Sequence, residues 1–414
     1  MKNYLFIKKA ASITLLTAVL LLTYGFVDSP STDAQGARKI VVWSNGLNDI
    51  AKAELLARHG ALKFKDLSLI NGSAVWLPGE ASEKALESHP GVLRIDDDVE
   101  VHALAKPGTS SVQPPQSIPW GIDRVDAELV WATNNADPVK VVVLDTGISM
   151  SHPDLTSNVK GGYNTINPLK SWNDDNGHGS HVAGIIAASN NNIGVVGVAP
   201  LADLYAVKVL NRNGSGFLSD IIEGLQWSVQ NGAQVINMSL GTNSDIQSFH
   251  DAITAAYDAN VVLVAAAGND SEAVDYPAAY PEVIAVSATD SNNVLASFSS
   301  RGAEVDLSAP GVSVYSTYKG DGYKTLSGTS MASPHVAGAA ALVLNTPTDT
   351  QFETITESSA SFEVCVSEYD TNCNYAWDNW EVKNKLQGTA VELGSAGYDT
   401  WYGWGLVNAW NATQ

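Results

Sequence analysis

From residue 116 onward, continuous apolar runs of strand length are interleaved with segments of helical periodicity. No other feature of the chain constrains its fold as strongly. The strand-like runs lie at 139–144, 204–209, 235–239, 261–267 and 283–287, and the helical patterns at 178–188, 218–230, 247–260 and 330–344. Strands that are apolar on both faces belong inside a parallel sheet, and parallel neighbours need helical crossovers. The expected class is therefore α/β, with a mostly parallel central sheet and helices on both faces. Ligands of such sheets bind beyond the carboxyl ends of the strands. Polar residues just past those ends are the first candidates for chemistry.

Three of them form a set. Residues 139–147 read Val-Lys-Val-Val-Val-Leu-Asp-Thr-Gly, which puts Asp145 at a strand end. Residues 176–184 read Asn-Gly-His-Gly-Ser-His-Val-Ala-Gly, which puts His178 at a glycine-rich entry to an apolar helix. Residues 328–337 read Gly-Thr-Ser-Met-Ala-Ser-Pro-His-Val-Ala, with Ser330 where another helix begins. Unpaired N–H groups and the positive dipole end lie beside such a hydroxyl, a setting that favours a developing oxyanion. Serine alone is a weak nucleophile; a histidine base oriented by a carboxylate activates it. His181, three residues beyond His178, reads as structural.

With Ala265-Ala-Ala-Gly-Asn269, these segments resemble the signatures of the subtilisin-like serine proteases, the subtilases. The chain order Asp, His, Ser is the one known from subtilisin. The resemblance runs from about Gln116 to the C-terminus. It implies a serine endopeptidase with Ser330 as nucleophile, His178 as general base, Asp145 as its orienter and Asn269 as oxyanion donor. It also implies that Ser215, Gly216, Ser239, Leu240 and Gly241 pair with an extended peptide. Phe217, Leu218 and Leu240 would line apolar subsites, with ordinary core as the alternative. Asp275, in Ala273-Val-Asp-Tyr-Pro277, matches the base of the S1 pocket and would favour a basic P1 residue; a surface acid is the alternative. Calcium is the implied cofactor. Gln116, Asp154 and Asn191, with backbone oxygens of Ser189, Ile193 and Val195, match one site, since six oxygens suit the ion. Glu304 and Asp306, with carbonyls near Ala278, Tyr280 and Val283, resemble a weaker one.

The chain departs from the family in an insertion at about 345–375. Within and just beyond it, Asp370, Asn372, Asn374, Asp378 and Glu381 stand at positions 1, 3, 5, 9 and 12 of an EF-hand-like spacing, although position 6 is Tyr375 rather than glycine. A third cation site and a solvated acidic loop are both open here. Cys365 and Cys373, the only cysteines, read as a short disulfide loop, with two free thiols as the alternative.

The N-terminal part is organised differently. Lys2, Lys8 and Lys9 flank the apolar run 10–22, which reads as a secretory signal within 1–34, a retained anchor being the alternative. Residues 39–104 show a β-α-β-β-α-β pattern in which 92–95 with 99–101 closes a ferredoxin-like α+β unit. By resemblance this unit, 35–106, is a propeptide that assists folding and inhibits. A linker at 107–115 precedes the catalytic domain, 116–414, and maturation is expected between 104 and 116.

Charge supports a secreted enzyme. Residues 1–114 carry twelve basic and twelve acidic side chains, so the whole formal charge of −21 belongs to residues 115–414. A surface so acidic argues against nucleic acid as a partner and suits bound cations and solubility outside the cell. The expected partners are protein substrates and the chain's own propeptide, with no membrane for the mature form, a monomer. A catalytically silent or latent binding protein on the same fold is the rival reading. It sits poorly with an intact triad and Asn269.

Overall fold

The computed structural model describes residues 36–105, 110–111, 114–357 and 360–414. The segment read as a signal peptide and part of the linker lie outside the described residues. The first unit comprises β1 (Ala37–Trp43), α1 (Asp49–Arg58), β2 (Leu62–Leu67), β3 (Gly72–Leu77), α2 (Glu80–Glu87) and β4 (Val92–Asp97). Its antiparallel sheet runs β2-β3-β1-β4, which is the ferredoxin-like order. Strand alternation divides its side chains between two cores. Val41, Trp43, Val75 and Leu77 pack with Leu55, Leu56 and Leu86 of its helices, whereas Ile40, Val42 and Ala74 join a core of the main domain.

One expected strand goes elsewhere. Residues 99–101 do not extend the closing strand; β5 (Glu100–Ala103) leaves the small sheet and lies between two strands of the main domain. Period-2 apolarity marks a strand but does not name its partner.

After β6 (Ser110–Ser111) and α3 (Trp120–Arg124) come β7 (Lys140–Asp145), β8 (Val159–Asn164), α4 (His178–Ala187), β9 (Asp203–Lys208), β10 (Ser215–Phe217) and α5 (Leu218–Gln230). There follow β11 (Val235–Met238), β12 (Leu240–Gly241), α6 (Gln247–Asp258), β13 (Val262–Ala266), β14 (Val283–Thr289) and β15 (Val305–Pro310). The hairpin β16 (Val314–Tyr318) and β17 (Gly322–Leu326) leads into α7 (Thr329–Leu344). The insertion holds a second hairpin, β18 (Gln351–Glu357) and β19 (Ala360–Val366), before α8 (Asn379–Gly388) and α9 (Ala409–Ala412). Cys365 and Cys373 are joined in a disulfide.

The central sheet runs β15-β14-β13-β11-β7-β9-β8, and every pairing in it is parallel. Its two faces alternate along β7. Val141 and Val143 pack with α4 and α7, and Val142 and Leu144 with α5 and α6. Helix α7 is buried from Thr329 to Val343, which explains a sequence apolar on all sides. Among the described residues no helix is long and apolar enough to cross a membrane.

The small unit sits on α5 and α6, and its last turn caps both. Those helices begin after Phe217 and Ile246, whose side chains accept no hydrogen bond. Asp98 instead accepts the Ser219 N–H at 2.8 Å and its hydroxyl at 2.9 Å, and Asp96 accepts the Ser248 N–H at 3.0 Å. Carboxylates at helix N-termini satisfy orphan donors and complement the dipole.

Candidate active site

Each candidate side chain stands at the end of a main-domain element. Asp145 is the last residue of β7, His178 the first of α4 and Ser330 the second of α7. His178 Nδ1 lies 2.8 Å and 2.9 Å from the two Asp145 carboxylate oxygens. Both groups are buried. Burial opposes the imidazolium, but the Asp145 carboxylate outweighs it, with a further contribution from Asp174, and the His178 pKa is raised. His181 is the opposite case. Burial pushes its pKa down to about 3, and its Nε2 donates to the Lys324 carbonyl at 2.9 Å, so it is a neutral structural histidine.

Ser330 does not bond to His178 in this state. Its hydroxyl donates to the Ser239 carbonyl at 3.0 Å, and His178 Nε2 is buried without a partner among the described residues. The backbone of Leu104 and Ala105 lies over this corner. A Cβ at Gly328 would come within 2.5 Å of the Leu104 oxygen and 3.2 Å of the Ala105 Cα. The Asn269 side-chain amide donates to the Leu104 carbonyl at 2.6 Å. Its own oxygen accepts the Thr329 N–H at 2.9 Å, which fixes the amide's direction.

The residues leading to Leu104 enter as an added strand. β5 pairs antiparallel with β10, Gly216 opposite Val101, and with β12, Leu240 opposite Ala103. Ser215, Gly216, Leu240 and Gly241 thus flank an extended peptide, and the Ser239 carbonyl accepts the Leu104 N–H at 3.3 Å. Leu218 and Leu240 are fully buried in the cluster that also holds Val101, and Phe217 lies under the Arg38 guanidinium at 3.8 Å. Beyond β12, a Cβ at Gly241 would meet Leu104 Cδ1 at 3.0 Å and Asp275 Cβ at 3.1 Å. The Leu104 side chain and Asp275 therefore both border Gly241. Burial, and Asp270 nearby, push the Asp275 carboxyl up to about 6. Among the described residues no lysine or arginine pairs with it.

Residues 136–405 match the subtilase family. The chain belongs to that family. Relatives agree over most of its length. An alkaline protease of Shouchella clausii is 46% identical over 80% of this chain and 76% of its own. Subtilisin Savinase of Lederbergia lenta is 48% identical over 72% of this chain and 100% of its own. Subtilisin E of Bacillus subtilis (strain 168) is 38% identical over 97% and 98%. The subtilase is a serine-type endopeptidase.

The three expected cation sets of this subtilase differ in their surroundings. Gln116, Asp154 and Asn191 converge. The Asn191 amide donates to Asp154 at 2.7 Å, and Gln116 Oε1 accepts the Asn191 N–H at 2.5 Å. Asp154 is fully buried and also accepts the Val195 N–H and the Tyr323 hydroxyl, each at 2.9 Å, yet it pairs with no lysine or arginine of the described residues. The Ile193 and Ser189 N–H groups bond within the same cluster, to Asn191 and to the Asp154 carbonyl.

The Glu304 and Asp306 set is not gathered for an ion. Lys383, on α8 behind the insertion, inserts its ammonium 3.0 Å from Asp306 and 3.0 Å and 3.2 Å from the carbonyls of Val283 and Pro281. A tethered cation stands where a free one was expected; Glu304 makes no ion pair with it. In the insertion, Asp370 and Glu381 are buried but spend their oxygens on the loop itself. Asp370 accepts the Asn374 and Tyr375 N–H groups, both at 3.2 Å, and Glu381 accepts those of Thr371 and Asp378, both at 3.0 Å. Asn372 and Asn374 turn their amides to Asp378, at 2.5 Å and 3.3 Å. Among the described residues no three His, Cys, Asp or Glu side chains gather as metal ligands.

Sequence reasoning reached Leu104 only as the lower bound of the maturation range and missed Asp174. Leu104 carries no motif, and its place follows only from the added strand. Asp174 stood in view four residues before His178, where a buried carboxylate with several donors is not distinguishable from a loop acid.

Proposed function

We propose that this subtilase is a secreted proenzyme that cuts itself between Leu104 and Ala105 and then hydrolyses protein substrates through Asp145, His178 and Ser330. The observation that carries the reading is the Leu104 carbonyl, held 2.6 Å from the Asn269 amide beside Ser330, at the end of a strand paired on both edges. This moves the proposed boundary of the propeptide from 106 to 104.

The chemistry follows from the groups present. The Ser330 hydroxyl turns from Ser239 to His178 Nε2 and gives up its proton as its oxygen bonds to the carbonyl carbon. Asp145 holds the imidazole with Nε2 free and stabilises the imidazolium. The oxyanion takes hydrogen bonds from the Asn269 amide and the Ser330 N–H; one such donor is worth about 10²–10³ in turnover. Collapse breaks the C–N bond, and the imidazolium proton leaves with the amine. Water then repeats the sequence on the acyl-enzyme.

Gln116, Asp154, Asn191 and the carbonyls of Ser189, Ile193 and Val195 fit calcium. Each carries an oxygen donor, and the Asn191 amide nitrogen that now faces Asp154 would turn away to present its oxygen; the buried carboxylate lacks a basic partner among the described residues, and the approach is tight: a Cβ at Gly194 would fall 2.2 Å from Asp154. The ion would neutralise Asp154 and tie the N-terminal segment to the 189–195 loop; it takes no part in the bond cleavage.

The test is expression of the full chain beside Ser330→Ala, followed by N-terminal sequencing and casein hydrolysis with and without a chelator. The wild type is expected to begin at Ala105, hydrolyse casein and lose heat resistance under chelation. The variant is expected to stay joined and inactive. Equal processing and hydrolysis in both chains defeats the proposal.

A further inference from the structure

Asp174 is a buried carboxylate, 4% exposed, that the hydrolytic scheme does not use. It lies in the loop ahead of α4, a helix whose first residue is His178 and whose N-cap, Gly177, has no side chain to cap it. One oxygen of Asp174 accepts the N–H groups of Asn176 and Gly177, at 2.9 Å and 2.8 Å, and the Thr146 hydroxyl at 2.9 Å. The other accepts the Ser180 N–H at 2.9 Å and the Ser180 hydroxyl at 2.6 Å. Each oxygen thus meets at least one backbone N–H that can only donate, a geometry suited to the ionised form. Burial pushes its pKa up against these bonds, and no lysine or arginine of the described residues pairs with it. Lys208 pairs with the neighbouring Asp175 instead, at 2.7 Å.

The same carboxylate is tied to both partners of the base. Thr146, which donates its hydroxyl to Asp174, accepts the Gly179 N–H at 2.9 Å and donates its own N–H to Asp145 at 2.6 Å. So the strand end carrying Asp145 and the first turn carrying His178 meet on one buried anion. We propose that Asp174 is a positioning residue: it holds His178 against Asp145 and adds a second negative charge that favours the imidazolium formed when Ser330 loses its proton. The inference rests on the serine-protease reading above.

Other groups facing His178 do not supply that charge. Asp145 comes from β7 and bonds directly. His181, one turn along α4, is held neutral by burial. His102 of β5, Tyr318 of β16 and Lys324 of β17 line the same cleft and add no anion. The raised pKa of His178 carries a contribution from Asp174 after those of Asp145.

The acid limb of kcat/KM reports the base in the free enzyme. Removing a nearby negative charge lowers its pKa, so the limb must move to lower pH. The measurement is kcat and KM of the matured enzyme on a peptide anilide across the acid limb, for the wild type, Asp174→Asn and Thr146→Val, with Ser330→Ala assayed as the full chain. For Asp174→Asn, kcat is expected to fall about 10²-fold with KM within about threefold. Its limb is expected to move about half a pH unit toward acid. Thr146→Val breaks the link but keeps the charge, so kcat falls and the limb stays. A residue that only stabilised the loop would leave the limb in place, and an unmoved limb in Asp174→Asn overturns the proposal. If Asp174→Asn does not mature, Thr146→Val decides, and wild-type kcat there overturns it. Ser330→Ala separates the two readings: residual hydrolysis in that variant defeats the serine mechanism itself.

Discussion

In the proposed cleavage, Asp275 stands on the far side of Gly241 from the side chain that precedes the scissile bond. A Cβ at Gly241 would touch both Leu104 Cδ1, at 3.0 Å, and Asp275 Cβ, at 3.1 Å. An ionised carboxylate gains nothing from leucine and pairs with a lysine ammonium; the neutral acid reverses the balance. Because burial raises the carboxyl to about 6, the charge is absent well below that pH and present above it. The lysine-to-leucine preference at P1 should therefore rise as pH climbs from about 5 to 8, by roughly three- to tenfold for a half-buried pair. Asp275→Gly should flatten it. Parallel kcat/KM series on two peptides differing only at P1 give the answer, and a ratio independent of pH in the wild type excludes the role. Lys383 carries the complementary lesson at this scale. Glu304 and Asp306 were legible as a carbonyl-and-carboxylate cradle, but the lysine that fills it stands 77 positions beyond Asp306 and nothing local marks it. Motif residues such as Asp145, His178, Ser330 and Asn269 were legible because each sits at a strand end or helix start that its own neighbours define.

At the scale of elements, the central sheet was legible from its apolar runs, whereas β5 was not. Its residues read as strand, yet its partners are β10 and β12 and not the sheet it follows. The cause lies in the acidic turn before it, where Asp96 and Asp98 are committed to α6 and α5. Two main-domain helices thus borrow their N-caps from a unit that the proposed cleavage detaches. A cap of this kind contributes about 1 kcal/mol, and more when buried and charged. Arg38, paired with Asp98 at 2.7 Å, completes the junction. Asp98→Ala should weaken the hold of the small unit and slow refolding of the full chain from denaturant. Recovery of casein hydrolysis against time, beside Asp97→Ala as a control on the exposed neighbour, measures this; equal recovery would remove the cap from the folding argument. The hairpin β18–β19 escaped the sequence reading although Phe362, Val364 and Val366 alternate in β19, because β18, Gln-Phe-Glu-Thr-Ile-Thr-Glu, shows no matching period.

Across the whole molecule, charge is divided so that a neutral N-terminal part covers an acidic main domain. The contact is local in its electrostatics. Lys65 reaches Asp220, at 2.8 Å, and Glu223 on α5, and Arg94 pairs with Asp251 on α6. Apolar contact through Ile40, Val42 and Ala74 supplies the remainder, and salt does not screen that part. After the proposed cleavage at Leu104, the small unit is held by these pairs, the two caps, the apolar face and β5 in the cleft. Raising ionic strength from about 0.05 M to 0.5 M shortens the screening length to a few ångströms and weakens the partly exposed pairs most. The interval between self-cleavage, followed by gel, and the onset of casein hydrolysis should therefore shorten with salt. The final rate, read on the same samples, corrects for any effect of salt on turnover. Lys65→Met should remove much of that dependence, because its ammonium joins two of the three acidic partners. A lag unchanged by salt in the wild type would mean that release is governed by the strand in the cleft and the apolar face, with the ion pairs serving only to set the register of docking.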